Sequence, residues 1–227
     1  MLKKWQDLPK EMQNDEVLKY YNILKKKRFS LFLKRCFDIF ASLILIILLL
    51  IPMVIIALMI KLDSKGEAVF RQIRITKYNK EFKIFKFRTM VKDAENLGTK
   101  VTTKNDMRIT KVGAKLRKLR LDELPQLYNV LKGEMTFVGA RPEVPKYVSE
   151  YTDEMLATLL LPAGITSFAS IQFKDEDELL ANEKDTDFAY INKILPKKME
   201  INLSYIKDFS LFLDLKIMFK TVLAVFG

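Results

Sequence analysis

The stretch from Ile39 to Ile60 constrains this chain more than any other. Its 22 residues carry one polar side chain, that of Ser42. A helix of that length can span the hydrocarbon core of a bilayer, which takes about 20 apolar residues. Pro52 lies inside it, where proline removes a backbone hydrogen bond and bends a helix. Basic residues stand at both ends, Lys34 and Arg35 before it and Lys61, Lys65, Arg71 and Arg74 after it. Flanks rich in Lys and Arg favour the cytoplasmic side, and a single crossing cannot keep both flanks there. A helix that enters, breaks near Pro52 and returns to the same face meets both conditions. A kinked anchor that crosses once is the alternative.

The rest of the chain is too charged for a second such segment. Charged residues make up 30% of the sequence, which excludes a polytopic membrane protein. The net charge is +11, and the positive residues crowd around the apolar segment: ten Lys/Arg against four Asp/Glu in residues 1–36, eighteen against six in residues 61–120. Residues 121–227 are net acidic. That placement fits anionic phospholipid and phosphorylated substrates as partners. Nucleic acid is not expected, because no recognisable nucleic-acid module accompanies the charge. A secretory signal peptide fits poorly, since the apolar run starts late and no small-residue cleavage site follows it.

Several chemistries are excluded by residue type. The chain has no histidine, so a Ser-His-Asp or Cys-His device and a histidine-ligated metal are ruled out. Its one cysteine, Cys36, excludes an intramolecular disulfide and a thiolate zinc cage, and reads as a small apolar residue. No G-x-G-x-x-G or G-x-x-x-x-G-K run occurs among the seven glycines. Carboxylates, Lys, Arg, Tyr and hydroxyls must carry any chemistry.

The expected organisation is an N-terminal polar and basic extension (1–36), a membrane helix (37–60) and a cytosolic domain with membrane-surface amphipathic helices (61–227). The fold class is α/β, mostly helical with a small sheet, in a single membrane-docked domain. Alternation in Ala68–Phe70 and Phe82–Arg88 around the turn residues Lys77–Lys80 predicts a β-hairpin. Helices are expected over Glu11–Leu24, Val112–Leu119, Leu124–Leu131 with a stop at Gly133, Asp175–Leu180, Asp187–Leu195 and Phe209–Phe226. The last is either a core helix or one lying on the membrane.

The densest candidate site is Arg117 to Gln126 followed by Gly139-Ala140-Arg141-Pro142. Asp122 and Glu123 stand at a helix start, where negative charge is favoured, and Arg117, Arg120 and Arg141 would keep a carboxylate ionised. An ionised carboxylate is a competent nucleophile toward phosphorus, and carboxylates hold Mg²⁺. Arginines take phosphoryl oxygens bidentately. The plainer reading makes Asp122 an N-cap and Glu123 a first-turn acid. Lys86 and Arg88, two residues apart on a strand, share a face that could line a diphosphate pocket or meet lipid, with Arg71 and Arg74 nearby. The run Asp175–Glu178 lacks calcium-loop spacing and reads as a solvated helix start.

These pieces together resemble the bacterial sugar transferases, the monotopic phosphoglycosyl transferases that start glycan assembly on polyprenyl phosphate. The resemblance runs from about Lys34 to Phe226. It rests on Lys34-Arg35 with Asp38, Pro52, Phe70–Arg74, Lys86–Met90, Arg108–Thr110 with Gly113, Leu121–Leu127, Asn129–Gly133, Val138-Gly139 with Arg141-Pro142, and Gly164–Thr166, in family order. It implies a re-entrant membrane helix broken at Pro52, at the cytoplasmic face of a bacterial plasma membrane. It implies that Asp122 attacks the β-phosphate of a UDP-sugar, releasing UMP, and that polyprenyl phosphate then takes the sugar-phosphate from the aspartyl intermediate. Glu123, with Asp122, would bind Mg²⁺; Arg141 would grip phosphate, supported by Arg117, Lys86 and Arg88. A homo-oligomer stays open. The chain departs from the family pattern at Ile51 before the proline, and at Arg120, Ala140, Ser167 and Ser170; the last two lie where sugar specificity is expected. A non-catalytic membrane-surface adaptor on the same fold is the alternative.

Overall fold

The structure is a computed structural model that describes residues 2–94, 106–180, 183 and 185–226. Single helical turns at Trp5–Asp7 and Lys10–Met12 lead into α1 (Asp15–Lys26) and the long α2 (Arg28–Asp63). A hairpin of β1 (Val69–Thr76) and β2 (Lys80–Phe87) follows, then α3 (Lys111–Lys118), α4 (Gln126–Lys132), β3 (Met135–Val138) and α5 (Pro145–Val148). After β4 (Ala163–Thr166) come α6 (Phe168–Gln172), α7 (Glu176–Leu180), α8 (Thr186–Ala189), α9 (Leu195–Asp208) and α10 (Leu211–Phe226). The mostly helical α/β expectation stands, with two small sheets among the described residues rather than one.

The hairpin pairs antiparallel from Val69↔Phe87 to Thr76↔Lys80. Its turn takes left-handed backbone at Tyr78 and Asn79 (φ +61° and +54°), which asparagine tolerates and which reverses the chain tightly. The second sheet is parallel, Met135↔Ala163 to Val138↔Thr166, with α5 and the turns at Met155–Leu160 supplying the crossover a parallel pair needs. Beyond its end the chains cross closely: Gly164 N–H donates to the Ala140 carbonyl at 2.8 Å, and Gly139 N–H to that of Thr166 at 3.0 Å. A Cβ on Gly164 would fall 2.2 Å from the Gly139 backbone, so only glycine fits.

The N-terminal residues do not stand apart from this core. Met12, Val17 and Leu24 are fully buried in the same cluster as Leu127, Val130, Met135, Leu160 and Phe209. Tyr20 donates to Glu154 at 2.5 Å, and Lys27 Nζ donates to the Lys207 and Phe209 carbonyls at 3.0 and 2.8 Å. Their helical spacing was legible, but not the surface they cover.

α2 is one helix from Arg28 to Asp63 with Pro52 inside it. The expected break at Pro52 is not a feature of its backbone. Proline removes one ladder bond, and the bonds on either side can carry the helix past it. Both ends of α2 are tied to the same domain. Near its start, Arg35 donates to the Val130 and Leu131 carbonyls (2.6 and 2.8 Å) at the end of α4, and Lys34 donates to the Val138 carbonyl (2.8 Å). At its end, Asp63 accepts from Val112 N–H at 3.0 Å and Ile60 packs with Ala68, Phe87 and Leu116. Between them Leu45, Leu49, Met53, Ile56 and Ala57 pack inward, while Phe40, Ile44, Ile47, Leu48, Ile51, Ile55, Leu58 and Leu62 stay exposed.

α10 has the same two-faced character. Asp214 and Ile217 are buried, whereas Phe212, Leu215, Phe219, Val222 and Leu223 are exposed. One face of this helix thus joins the core, and the other is apolar and exposed. α9, of which the expected helix Asp187–Leu195 reaches only the first residue, packs Met199, Leu203 and Ile206 inward. The acidic run opens α7, where Glu176 pairs with Lys198 at 3.0 Å; the Asp177 and Glu178 side chains lie outside the described residues.

Candidate functional site

The acidic pair sits on a tight turn between α3 and α4. Arg120 adopts left-handed backbone (φ +55°), an uncommon conformation for a residue with a side chain. It ends α3 and turns the chain into one helical turn at Leu121–Glu123, which runs on through Pro125 into α4. Leu121 and Leu124 pack against the cluster around Ile60 and Phe87, and Leu127 and Val130 enter the main core. Apolar anchors on both sides thus hold Asp122 and Glu123 facing inward, only 9% and 8% exposed. A plain N-cap reading does not survive: no side-chain cap bond is formed at the start of this turn or of α4.

Two cations reach Glu123 from different elements. Arg141 Nη2 lies 2.9 Å from Glu123 Oε1, and Lys86 Nζ approaches the same oxygen at 3.5 Å. β2 is held against α4 by the buried Asn129, which accepts from Phe85 N–H at 3.0 Å and donates to the Lys83 carbonyl at 2.9 Å. Arg141 follows the glycine crossing, and Arg74 of β1 donates to the neighbouring Pro142 carbonyl at 3.1 Å. Behind it, Glu143 accepts from Tyr190 Oη at 2.6 Å and from Lys198 Nζ at 3.3 Å. Asn129 stood among the family-like residues without a role. Glu143, Tyr190 and Lys198 carried no sequence signal, because the buried polar groups that meet here lie 47 and 55 residues apart.

The environment separates the two acids. Burial would raise Glu123, but the Arg141 and Lys86 charges outweigh it and hold the carboxyl far below its usual range. Burial, together with the Glu123 charge, raises Asp122 above the ordinary carboxylate value, against the opposing charges of Lys86, Arg141 and Arg117. The sequence reading that arginines would keep a carboxylate ionised thus holds for Glu123, and desolvation wins at Asp122. Burial pulls Lys86 down to about 8, against the attraction of Glu123. Asp122 Oδ1 is buried with no partner among the described residues.

Lys86, Arg141, Asp122 and Glu123 therefore converge, and Arg117 in the last turn of α3 acts on Asp122 through its charge. Arg88 does not join Lys86. It turns away and donates to the Ser64 and Lys65 carbonyls at 2.7 and 2.8 Å, tying down the exit of α2. Strand alternation gave both residues one face, but Arg88 lies just past Phe87, the last residue of β2. Arg71 is exposed and near Glu67. Ser167 and Ser170 bond to each other at the start of α6, where Ser170 N–H donates to Ser167 Oγ at 2.9 Å. Among the described residues no group of three or more Asp, Glu or Cys forms a metal cage.

A family model described as bacterial sugar transferase matches residues 29–227. A UDP-N-acetylgalactosamine-undecaprenyl-phosphate N-acetylgalactosaminephosphotransferase of Aeromonas hydrophila is 39% identical over 84% of this chain and 43% of its own length. An undecaprenyl-phosphate glucose phosphotransferase of Komagataeibacter xylinus is 37% identical over 83% of this chain and 35% of its own. The chain thus spans less than half of these two relatives. An exopolysaccharide production protein, PSS, of Rhizobium leguminosarum bv. phaseoli is 36% identical over 86% of this chain and 96% of its own length.

Proposed function

The chain belongs to the bacterial sugar transferase family, and from that premise we propose that it moves a sugar-1-phosphate from a UDP-sugar to a polyprenyl phosphate such as undecaprenyl phosphate, releasing UMP. The observation that carries this reading is the parted acidic pair: Glu123 is clamped by Arg141 and Lys86, while Asp122 keeps an oxygen free of partners among the described residues. A buried carboxylate with a free oxygen beside fixed cations is the arrangement a nucleophile toward phosphorus requires. Asp122 attacks the β-phosphorus and UMP leaves; an oxygen of the polyprenyl phosphate then attacks the same phosphorus and frees Asp122. Lys86 and Arg141 face the charge that builds on the phosphoryl oxygens, and Arg117 adds to the field. Such a step opens glycan assembly at a membrane.

The donor set also fits Mg²⁺, which is commonly bound by one or two carboxylates together with substrate phosphates. The adjacent Asp122 and Glu123 carboxylates would hold it. When bound, Mg²⁺ offsets phosphate charge that Lys86 and Arg141 share.

The same reading has the chain docked on the cytoplasmic face of a bacterial plasma membrane, through the exposed apolar faces of α2 and α10. Contacts of both α2 ends with one domain favour entry and exit on the same side. Bending at Pro52 would accompany insertion into lipid, and the basic flanks would meet anionic phospholipid.

The test is UMP release by purified protein with Mg²⁺, a panel of UDP-sugars and undecaprenyl phosphate, beside Asp122→Asn. UMP formation with at least one donor, lost in Asp122→Asn, is the expected result. Unchanged UMP formation in Asp122→Asn would remove Asp122 as nucleophile. No UMP from folded protein with any donor would favour the adaptor reading.

A further inference from the structure

Two polar atoms at the acidic turn have no partner among the described residues, Asp122 Oδ1 and Gln126 Nε2. Gln126 is 1% exposed, at the first position of α4. It stands four residues after Asp122, across Leu124 and Pro125, which keep right-handed helical backbone, so the two groups lie about one turn of chain apart. An amide N–H buried without an acceptor is destabilising, because it has lost its water and gained no partner. A leucine would sit at this apolar junction without that cost. The unmet donor about one turn of chain from the unmet acceptor therefore marks a place that a ligand with hydrogen-bond acceptors completes.

Resting on the function proposed above, we infer that Gln126 is a further substrate-contacting residue. Its Nε2–H donates to a non-bridging oxygen of the phosphoryl group that Asp122 takes. In that step the Asp122 carboxylate oxygen forms a bond to the β-phosphorus, and the bond from that phosphorus to the oxygen shared with the α-phosphate breaks. UMP leaves with the bonding electron pair and no proton moves. Lys86 and Arg141 are engaged with Glu123. A third cation at position 126 would pair with free Asp122 and blunt it as a nucleophile. A neutral amide donates to the phosphoryl oxygen without that pairing.

The test compares Gln126→Leu, Gln126→Asn and Asp122→Asn with the parent chain. The readouts are single-turnover UMP formation in the absence of polyprenyl phosphate, the intact mass of the sugar-phosphate adduct, and Tm. For Gln126→Leu the expectation is UMP formation slowed by roughly 10–100-fold, the range one hydrogen bond to a charged group supplies. Its Tm stays unchanged or rises, because an unpaired buried donor has gone. Gln126→Asn, which keeps the amide one methylene short, falls between. A Gln126→Leu protein within threefold of the parent overturns the inference. So does a loss of rate that tracks a fall in Tm in both variants, which assigns Gln126 to structure alone. If Asp122→Asn is inactive while Gln126→Leu is fast, this inference fails by itself. If Asp122→Asn forms UMP normally, the proposed function fails and takes this inference with it.

Discussion

Asp122 and Glu123 are neighbours in sequence with the same charge, and their surroundings give them opposite tendencies. Glu123 has two cations on one oxygen, and Asp122 has burial and a like charge. The sequence made the pair visible, because acids at a helix start flanked by arginines are a local pattern. It left open which cation goes where: Lys86 reaches Glu123 and Arg88 does not, a difference set by where β2 stops. The pH dependence follows from these positions. On the proposed mechanism Asp122 is ionised when it attacks, so its raised pKa should lift the acid limb of kcat/KM above the about 3.9 of a free aspartate. Lys86, at about 8, loses its charge as pH rises through that value, so the rate falls on the basic side. Lys86→Arg should carry the basic limb upward while leaving the acid limb in place. A basic limb that stays near 8 in Lys86→Arg would assign it to another group.

At the scale of elements, α2 is secured by polar contacts just before its apolar length. Lys34 pairs with Asp214 of α10 at 2.6 Å with both side chains buried, and Tyr205 of α9 donates to Asp214 at 2.6 Å. Asp38, one turn on, accepts from Thr136 Oγ1 and Phe137 N–H of β3 at 3.0 and 3.2 Å. Lys34, Arg35 and Asp38 stood out in the sequence as charges against an apolar run, but their partners lie 95 to 180 residues away and had no signal. Removing one member of a buried ion pair strands the other. Lys34→Met should therefore lower stability by about 3–5 kcal/mol, read from denaturant midpoints in detergent. The double variant Lys34→Met/Asp214→Leu should recover at least half, since two apolar side chains need no partner. A double variant as unstable as the single would mean that packing, and not the stranded charge, carries the cost.

For the whole molecule the question is on which side of a membrane its parts lie. The domain grips α2 at Arg35 and again at Asp63, and its exposed apolar faces lie on α2 and α10. Cysteines introduced at the exposed Lys25 and Glu67, in a Cys36→Ala background, should react with an impermeant thiol reagent from the same side of oriented vesicles. Labelling from opposite sides would make α2 a single crossing and would require the contacts at one of its ends to dissolve. The N-terminal turns and α1 belong to this body too. Met12, Val17, Tyr20 and Leu24 are buried, and burial of side chains of this size contributes about 1.5–3 kcal/mol each. Four such residues match a typical net stability of about 5–15 kcal/mol.

By itself the sequence determined what depends on neighbours along the chain. The apolar length of α2, the hairpin with its turn at Tyr78-Asn79, the stop of α4 at Gly133 and the acidic pair at Asp122-Glu123 all follow from residue spacing, because periodicity and turn chemistry are local. The tertiary structure decided what depends on neighbours in space. It chose Arg141 and Lys86 as the clamp on Glu123, sent Arg88 to the exit of α2, drew the N-terminal residues into the core, and left Asp122 Oδ1 and Gln126 Nε2 unpaired among the described residues. Each of these is a matter of burial and of charges brought together from distant parts of the chain, and desolvation acts only once the chain has closed around them.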